Sequence, residues 1–293
     1  MNMVSSKLTP IHQGTTPPFW IDGLREQHPQ IRHIWPANPP IMFHTRGEIV
    51  AVLTDYYQYL SRINLSPESI IYPPRGGWPS ITAEPMGSLN RADEVVDLLK
   101  HLPYVSDKNG NEPSILPETN CVDYTSEPVQ NAIQDNGGKW IVEPGESIPP
   151  DCVCLAHGRR HAYSVFLNVT HGTIIWYSNQ GDQQNRDYDM GRVLDEDSPR
   201  HALDEDFELV HEPTYDLKYF FGEFCKKKIN EINWLPCVGG EIREMHPELS
   251  PSMEHRVFQQ YLRDSGFPGN GNGGGWDREK YRSLCYEYIT RTA

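Results

Sequence analysis

Residues 161–177, with the sequence HAYSVFLNVTHGTIIWY, decide the fold of this chain. Between His161 and Val169 successive side chains are expected to alternate between two faces, which is the period of a β-strand. Gly172 then supplies the positive backbone angle that a tight hairpin turn needs. Residues 173–177 are mostly β-branched and aromatic, so we expect a second strand that pairs back against the first.

Outside this hairpin, strand patterns give way to helical patterns on both sides. Period-two alternation and composition predict three more short strands, at residues 139–143, 152–157 and 207–211. Thr45 and Glu48 have the spacing of a capping box, and apolar residues recur behind them at spacings of three and four. Comparable apolar stripes predict four later helices, near residues 89–102, 217–232, 257–262 and 281–288. Helices, then strands, then helices indicate an α+β fold.

We predict a single α+β domain over residues 1–293, in which an antiparallel sheet is flanked by helices. A proline-rich arm precedes the sheet, because each proline removes a backbone donor and disfavours helix in the residue before it. In chain order the parts are an extended proline and aromatic arm at 1–45, a helical half at 46–135, an antiparallel sheet with an acidic loop at 136–212, and a helical part with a helical tail at 213–293.

The net charge of the chain limits the classes of partner that it can bind. Its 26 Lys and Arg stand against 40 Asp and Glu, which gives a net charge of −14 that repels the phosphate backbone of nucleic acids. No apolar run reaches the roughly 18 residues of a membrane span, and the amino-terminal residues lack the layout of a secretory signal. We therefore expect a cytoplasmic protein with free thiols, with no nucleic-acid partner, no membrane partner and no cofactor.

Acidic residues are concentrated between residues 187 and 212, where ten of them stand against Arg192 and Arg200. This acidic run is typical of a solvated loop. The alternative is that it docks a basic protein partner. The binding residues in that case are Asp195, Glu196, Asp197, Asp204, Glu205 and Asp206.

One segment carries residue types that could support catalysis or metal binding. The candidate catalytic residues are His157, Arg159, Arg160 and His161. They could orient and protonate an anionic substrate, although a turn whose arginines pair with the acidic run would leave the same pattern. Cys152, Cys154 and His157 are ligand types that zinc accepts, but their spacing fits no usual zinc pattern. Two small thiols in a buried strand explain the cysteines better, so no metal site is predicted.

A glycine-rich segment lies between the last two predicted helices, where residues 269–275 read GNGNGGG. It lacks the Gly-Lys-Ser/Thr ending of a P-loop, and no strand precedes it as the dinucleotide-binding fingerprint requires. We interpret it as a flexible connector.

Three stretches of the chain resemble their counterparts in a group of filamentous-fungal proteins that are mostly uncharacterised. They are residues 72–79, YPPRGGWP, with Ile81 and Thr82; residues 93–104, DEVVDLLKHLPY; and the part from Tyr219-Phe220-Phe221 to Trp234-Leu235-Pro236. Residues 162–177 with the helix from Thr214 are similar to the strand, hairpin and helix core of the SUKH (Knr/Smi-like) superfamily. That superfamily includes a yeast regulator of cell-wall synthesis and bacterial toxin-immunity proteins.

The resemblance spans residues 46–236 and implies a non-catalytic α+β module that binds other proteins. It carries over no catalytic residues, and the proline-rich arm, the acidic run and the glycine-rich segment depart from a minimal SUKH core. Our leading hypothesis is therefore an intracellular protein-interaction module. The competing hypothesis is an enzyme of fungal secondary metabolism that acts on a small anionic molecule through the residues at 157–161, with a pocket on the open face of the sheet.

Overall fold

The predicted hairpin forms the centre of a sheet in the computed structural model, which describes residues 44–106, 113–137, 148–158, 162–178, 194, 212–245 and 252–292. Its two strands pair antiparallel from Tyr163 opposite Ser178 to Asn168 opposite Thr173. Gly172 lies in the turn with a φ of +62°, and a β-carbon at this position would overlap the His44 ring. Glycine is therefore required there by both the turn and the contact.

The described residues form short strands and helices connected by turns. The strands are β1 (Ile70–Ile71), β2 (Tyr104–Val105), β3 (Ser114–Leu116), β4 (Thr119–Cys121), β5 (Cys152–Gly158), β6 (Tyr163–Asn168), β7 (Thr173–Ser178), β8 (Thr214–Asp216), β9 (Trp234–Pro236) and β10 (Ile242–Glu244). The helices are α1 (Arg46–Ile63), α2 (Ala83–Met86), α3 (Asp93–His101), α4 (Glu127–Asn136), α5 (Leu217–Tyr219), α6 (Cys225–Asn230), α7 (Met253–Asp264) and α8 (Arg278–Thr292). A π-helical segment, Phe220–Phe224, joins α5 to α6 without a break.

The main sheet has six strands in the order β3-β4-β5-β6-β7-β8, and every neighbouring pair is antiparallel. Two smaller antiparallel pairs, β1 with β2 and β9 with β10, lie outside it. The predicted α+β class, the antiparallel sheet and the helical carboxyl-terminal tail are confirmed. Residues 1–43 of the predicted arm and the predicted strands at 139–143 and 207–211 lie outside the described residues.

The sheet is wider than the sequence pattern predicts. Strands β3 and β4 belong to it, although they fall in the part predicted to be helical. Each has three residues, which is too short for a period of two to be recognised. Strand β4 is placed by pairing with β5, whose first residue, Cys152, lies 31 positions after Cys121. Strand β3 is placed in turn by pairing with β4.

Helix α1 begins as its sequence predicts. The Thr45 hydroxyl accepts from the Glu48 amide at 3.3 Å, and the Glu48 carboxylate accepts from the Thr45 amide at 2.9 Å, which completes the capping box. The buried face of α1 carries three tyrosines, Tyr56, Tyr57 and Tyr59. The Tyr56 hydroxyl donates to the Ile115 carbonyl of β3, so this face joins α1 to the sheet, and its buried residues belong to the hydrophobic core.

An aromatic cluster fills the space between the sheet and the helix that follows β8. Trp176 on β7 lies at its centre and is almost fully buried. The centroid of its ring lies 5.8 Å from the ring centroid of Phe220, 5.5 Å from that of Phe224 and 6.1 Å from that of Trp234. Each pair is arranged edge to face. Such pairs add to the stabilisation that comes from burial of their surface. The cluster thus fastens the π-helical segment and β9 to the sheet.

The glycine-rich segment is folded, contrary to the expectation of a flexible connector. We call residues 266–277 the glycine loop. The Asn270 side-chain oxygen accepts from the amides of Asn272 at 2.9 Å and Gly274 at 3.1 Å. The Arg62 Nε donates to the Asn272 carbonyl at 2.7 Å, and the Asn230 side chain donates to the Gly271 carbonyl at 2.8 Å. The segment does connect α7 to α8, but the prediction that it is flexible was wrong, because its hydrogen-bond partners come from α1 and α6, far away in sequence.

Candidate functional site

The structure describes only part of the residues that the sequence singles out. His157 lies on β5, whereas Arg159, Arg160 and His161 lie outside the described residues. The same is true of the six acidic residues proposed to bind a partner. They are Asp195, Glu196, Asp197, Asp204, Glu205 and Asp206.

The His157 side chain is held by the neighbouring strand. Its Nδ1 lies 3.0 Å from the Ser164 hydroxyl on β6, a hydrogen bond in which the histidine tautomer determines the donor. The two residues are cross-strand partners, so their side chains lie on the same face of the sheet. A register shift between Cys154 and Ala156 sets this pairing. The shift marks a β-bulge, which redirects the side chains that follow it.

His157 and Ser164 belong to a line of polar side chains that crosses the sheet, which we call the polar row. Consecutive cross-strand pairs join Asn120 on β4 to His157, His157 to Ser164, and Ser164 to Tyr177 on β7. Ser114 on β3 extends it, because its hydroxyl donates to the Asn120 side-chain oxygen at 3.2 Å. The sequence analysis missed Ser114, Asn120 and Tyr177 as members, because membership depends on strand register. The one local signal is that Ser164 falls on the face of its strand opposite Tyr163 and Val165.

A serine next to a histidine is the arrangement of an activated nucleophile. Here, however, the Ser164 side chain is completely buried. A nucleophile must reach its substrate, and a hydroxyl without any accessible surface cannot do so in this conformation. The hydrogen bond instead gives the buried Ser164 hydroxyl a polar partner, which is the usual arrangement for buried polar side chains.

The thiols of β5 are held in their neutral form. Burial raises the pKa of Cys154 and of Cys152 well above the usual range of a thiol. The Cys154 thiol lies 3.3 Å from the Ala156 carbonyl, to which it donates, while the His157 ring is engaged with Ser164. A thiolate is the form that attacks electrophiles and binds metals. Within the described part of the chain, no group of three or more His, Cys, Asp or Glu side chains is arranged to hold a metal ion.

The remaining cysteines behave in the same way, and all six are free thiols as predicted. Burial raises the pKa of Cys121 to about 11, of Cys237 to about 12 and of Cys285 to about 11. Burial also raises the pKa of Cys225 well above the range of an exposed thiol. At neutral pH these side chains are uncharged and act as small apolar groups in the core.

Buried tyrosines use their hydroxyl groups to satisfy the backbone. Tyr56 donates to the Ile115 carbonyl at 2.6 Å, and Tyr104 donates to the Leu99 carbonyl at 2.6 Å. Tyr124 donates to Cys154 at 3.0 Å in the same way. Burial raises the pKa of all three phenols, so they remain protonated donors. Their role is to link α1, α3 and the loops to the strands.

A small cavity of about 10 Å³ lies where the end of α1 meets α8 and the turn between β9 and β10. Asn64, Gly239, Arg278 and Arg282 are among the residues that line it. The Arg278 guanidinium donates to the carbonyls of Ser61 at 2.7 Å and Leu65 at 2.6 Å, so it caps the end of α1. A space of this size holds about one water molecule and is too small for a substrate.

Comparison of the chain with protein-family models, with curated proteins and with solved structures finds no match in any of the three. Among the described residues, no helix is both long and apolar enough to cross a bilayer.

Proposed function

We propose that this protein is a SUKH-like protein-interaction module without catalytic activity. The observation that carries the proposal is the state of the reactive side chains inside the described fold. Thiols and phenols are kept neutral by burial, and the Ser164 hydroxyl that His157 contacts is fully buried in the sheet. These groups hold the structure together, so the surface remains as the place where the protein acts.

The strand order supports the SUKH-like part of the proposal. The resemblance rests on a strand and hairpin followed by a helix. In the structure, the hairpin of β6 and β7 is followed by the short edge strand β8 and then directly by α5. An antiparallel sheet with helices before and after it agrees with that layout.

The acidic run supports a basic protein as the partner. It contributes an excess of eight negative charges to a chain whose net charge is −14. Clustered charge of one sign accelerates encounter with a partner of the opposite sign and suppresses partners of the same sign. Because such attraction is screened by ions, the binding should weaken as salt concentration rises.

The proposal is tested by neutralising six acidic residues of the run and comparing the proteins captured by wild type and variant from extract of the source cell. The variant replaces Asp with Asn and Glu with Gln at Asp195, Glu196, Asp197, Asp204, Glu205 and Asp206. A matched control removes six exposed acidic groups elsewhere, at Glu84, Glu94, Glu127, Asp135, Glu223 and Glu231. Capture is measured at low and high salt for all three proteins.

We expect the acidic-run variant to lose its basic partners and the salt dependence of their capture, while the control retains both. An unchanged capture profile would contradict the interaction mechanism. It would favour the alternative, an enzyme that acts on a small anionic molecule through His157, Arg159, Arg160 and His161.

A further inference from the structure

An exposed segment after β1 carries a tyrosine, two prolines, an arginine and a glycine, and we call residues 72–76 the proline loop. The Tyr72 side chain is 50% exposed, although it is among the largest apolar groups of the chain. Pro74 and Arg75 are also exposed. Large apolar groups at the surface are commonly found where a protein meets a partner.

In the first four residues of the proline loop, 72–75, the backbone is restricted to an extended, polyproline II conformation. Tyr72 and Pro73 each precede a proline, which disfavours helical geometry at both positions. Proline rings fix φ near −65° at Pro73 and Pro74. The Gly77 amide donates to the Pro74 carbonyl at 2.9 Å, and Gly76 has a φ of +99°, which is a type II turn. In that turn Arg75 occupies the first central position, whose backbone angles are close to polyproline II.

Both ends of the proline loop are anchored to the body of the protein. Ile71 before it pairs with Tyr104 in the small sheet of β1 and β2. After it, the Trp78 amide donates to the Lys100 carbonyl at 2.8 Å, and the indole Nε1 donates to the Leu102 carbonyl at 2.8 Å. A segment held in its binding conformation loses little entropy when a partner binds it.

The charge on the proline loop is available to a partner. Arg75 forms no ion pair or side-chain hydrogen bond with another residue that the structure describes. Beside a rigid pair of prolines, the Arg75 guanidinium gives the loop a positive charge that can form hydrogen bonds with a carboxylate of a partner.

From this geometry we propose that the proline loop is a docking epitope for a protein domain with an aromatic-lined groove that binds polyproline II. Such grooves bind prolines against aromatic rings and take their specificity from flanking residues. The exposed Pro74 and the half-buried Pro73 supply the apolar ridge. Tyr72 adds an aromatic flank, and Arg75 selects a groove with an acidic rim. The inference rests on the proposed interaction function and names the class of partner for a surface other than the acidic run.

The test uses the full-length chain and a panel of purified WW and SH3 domains whose grooves have acidic rims. Binding is measured by isothermal titration calorimetry for wild type, Pro74→Ala and Arg75→Ala. Pro79→Ala is the matched control, because this proline is exposed in the same connection but lies beyond the turn. Thermal melting of each variant checks that the fold is retained, and Arg75→Ala changes only an exposed side chain.

We expect at least one domain to bind wild type and the control with equal affinity. The same domain should bind Pro74→Ala and Arg75→Ala with an affinity about tenfold lower. The inference is wrong if no domain binds wild type, or if the loop variants bind as well as the control does. Loss of captured partners by the acidic-run variant, with no binding by the panel, would overturn this inference and leave the interaction function supported.

Discussion

The glycine loop and the proline loop each lie between two helices along the chain, yet they are organised in opposite ways. In the glycine loop the carbonyls of Gly271 and Asn272 accept hydrogen bonds from α6 and α1, so the loop is fastened to the body of the protein. In the proline loop the tip residues Arg75 and Gly76 are exposed, and only the ends are anchored. Composition alone does not distinguish a structural loop from a presented one. The difference lies in whether the rest of the fold supplies partners for the loop.

Substitution of one glycine in each loop should give the largest difference in stability between the two loops. In the glycine loop, Gly269 has a φ of +61° and a β-carbon there would overlap the Gly274 carbonyl, so Gly269→Ala should destabilise the protein by about 3 kcal/mol or more. Gly76 in the proline loop has a φ of +99° but open space around it, so Gly76→Ala should cost only about 1–2 kcal/mol. Urea denaturation of both variants measures the two free energies of unfolding. Equal losses would show that the glycine loop is not held by its contacts.

A smaller effect is expected from the asparagine at the centre of the glycine loop. Asn270→Ala removes the acceptor for two backbone amides, at Asn272 and Gly274, and should cost about 1–2 kcal/mol. Asn272→Ala is the control, because its side chain forms no hydrogen bond with a described residue. The midpoint of urea denaturation should fall for Asn270→Ala and stay near wild type for the control. The reverse order would mean that the hydrogen bonds do not organise the loop.

The smallest effect is expected at the start of α1, the helix whose other end is held by the glycine loop. The hydrogen bond from the Thr45 amide, and then that from Lys218, lower the pKa of Glu48 from 4.5 to about 2. A depressed carboxyl pKa adds stability that is present above pH 4.5 and is lost as the pH falls toward 2. Glu48→Gln should therefore lower the urea midpoint slightly at pH 6, and its difference from wild type should shrink as the pH falls toward 2.

Glu94→Gln is the control for this pH dependence, since Glu94 is exposed in the first turn of α3, a helix without a side-chain cap. We expect a smaller difference from wild type for this control at pH 6. A difference between Glu48→Gln and wild type that is as large at pH 2 as at pH 6 would show that the ionised carboxylate is not the source of the stability.

Elements whose signals are local could be predicted from the sequence. The capping box at Thr45 and Glu48, the hairpin around Gly172 and the apolar stripes of the later helices all depend on residues within a few positions of one another. Strands β3 and β4 could not be predicted, because each has three residues and is defined by its partner. For the candidate site, His157 was recognisable by its chemistry. Its partner Ser164 was recognisable only once the register of β5 and β6 was known.

The sequence by itself determined the α+β class and the positions where the backbone must turn, since these follow from periods of two and of three to four and from special residues such as Gly172. The tertiary structure alone decided which polar groups meet. Arg62 and Asn272, for example, are 210 positions apart and yet share a hydrogen bond that folds the glycine loop. Such a contact leaves no local pattern, because its free energy depends on how distant elements pack and not on the spacing of residues along the chain.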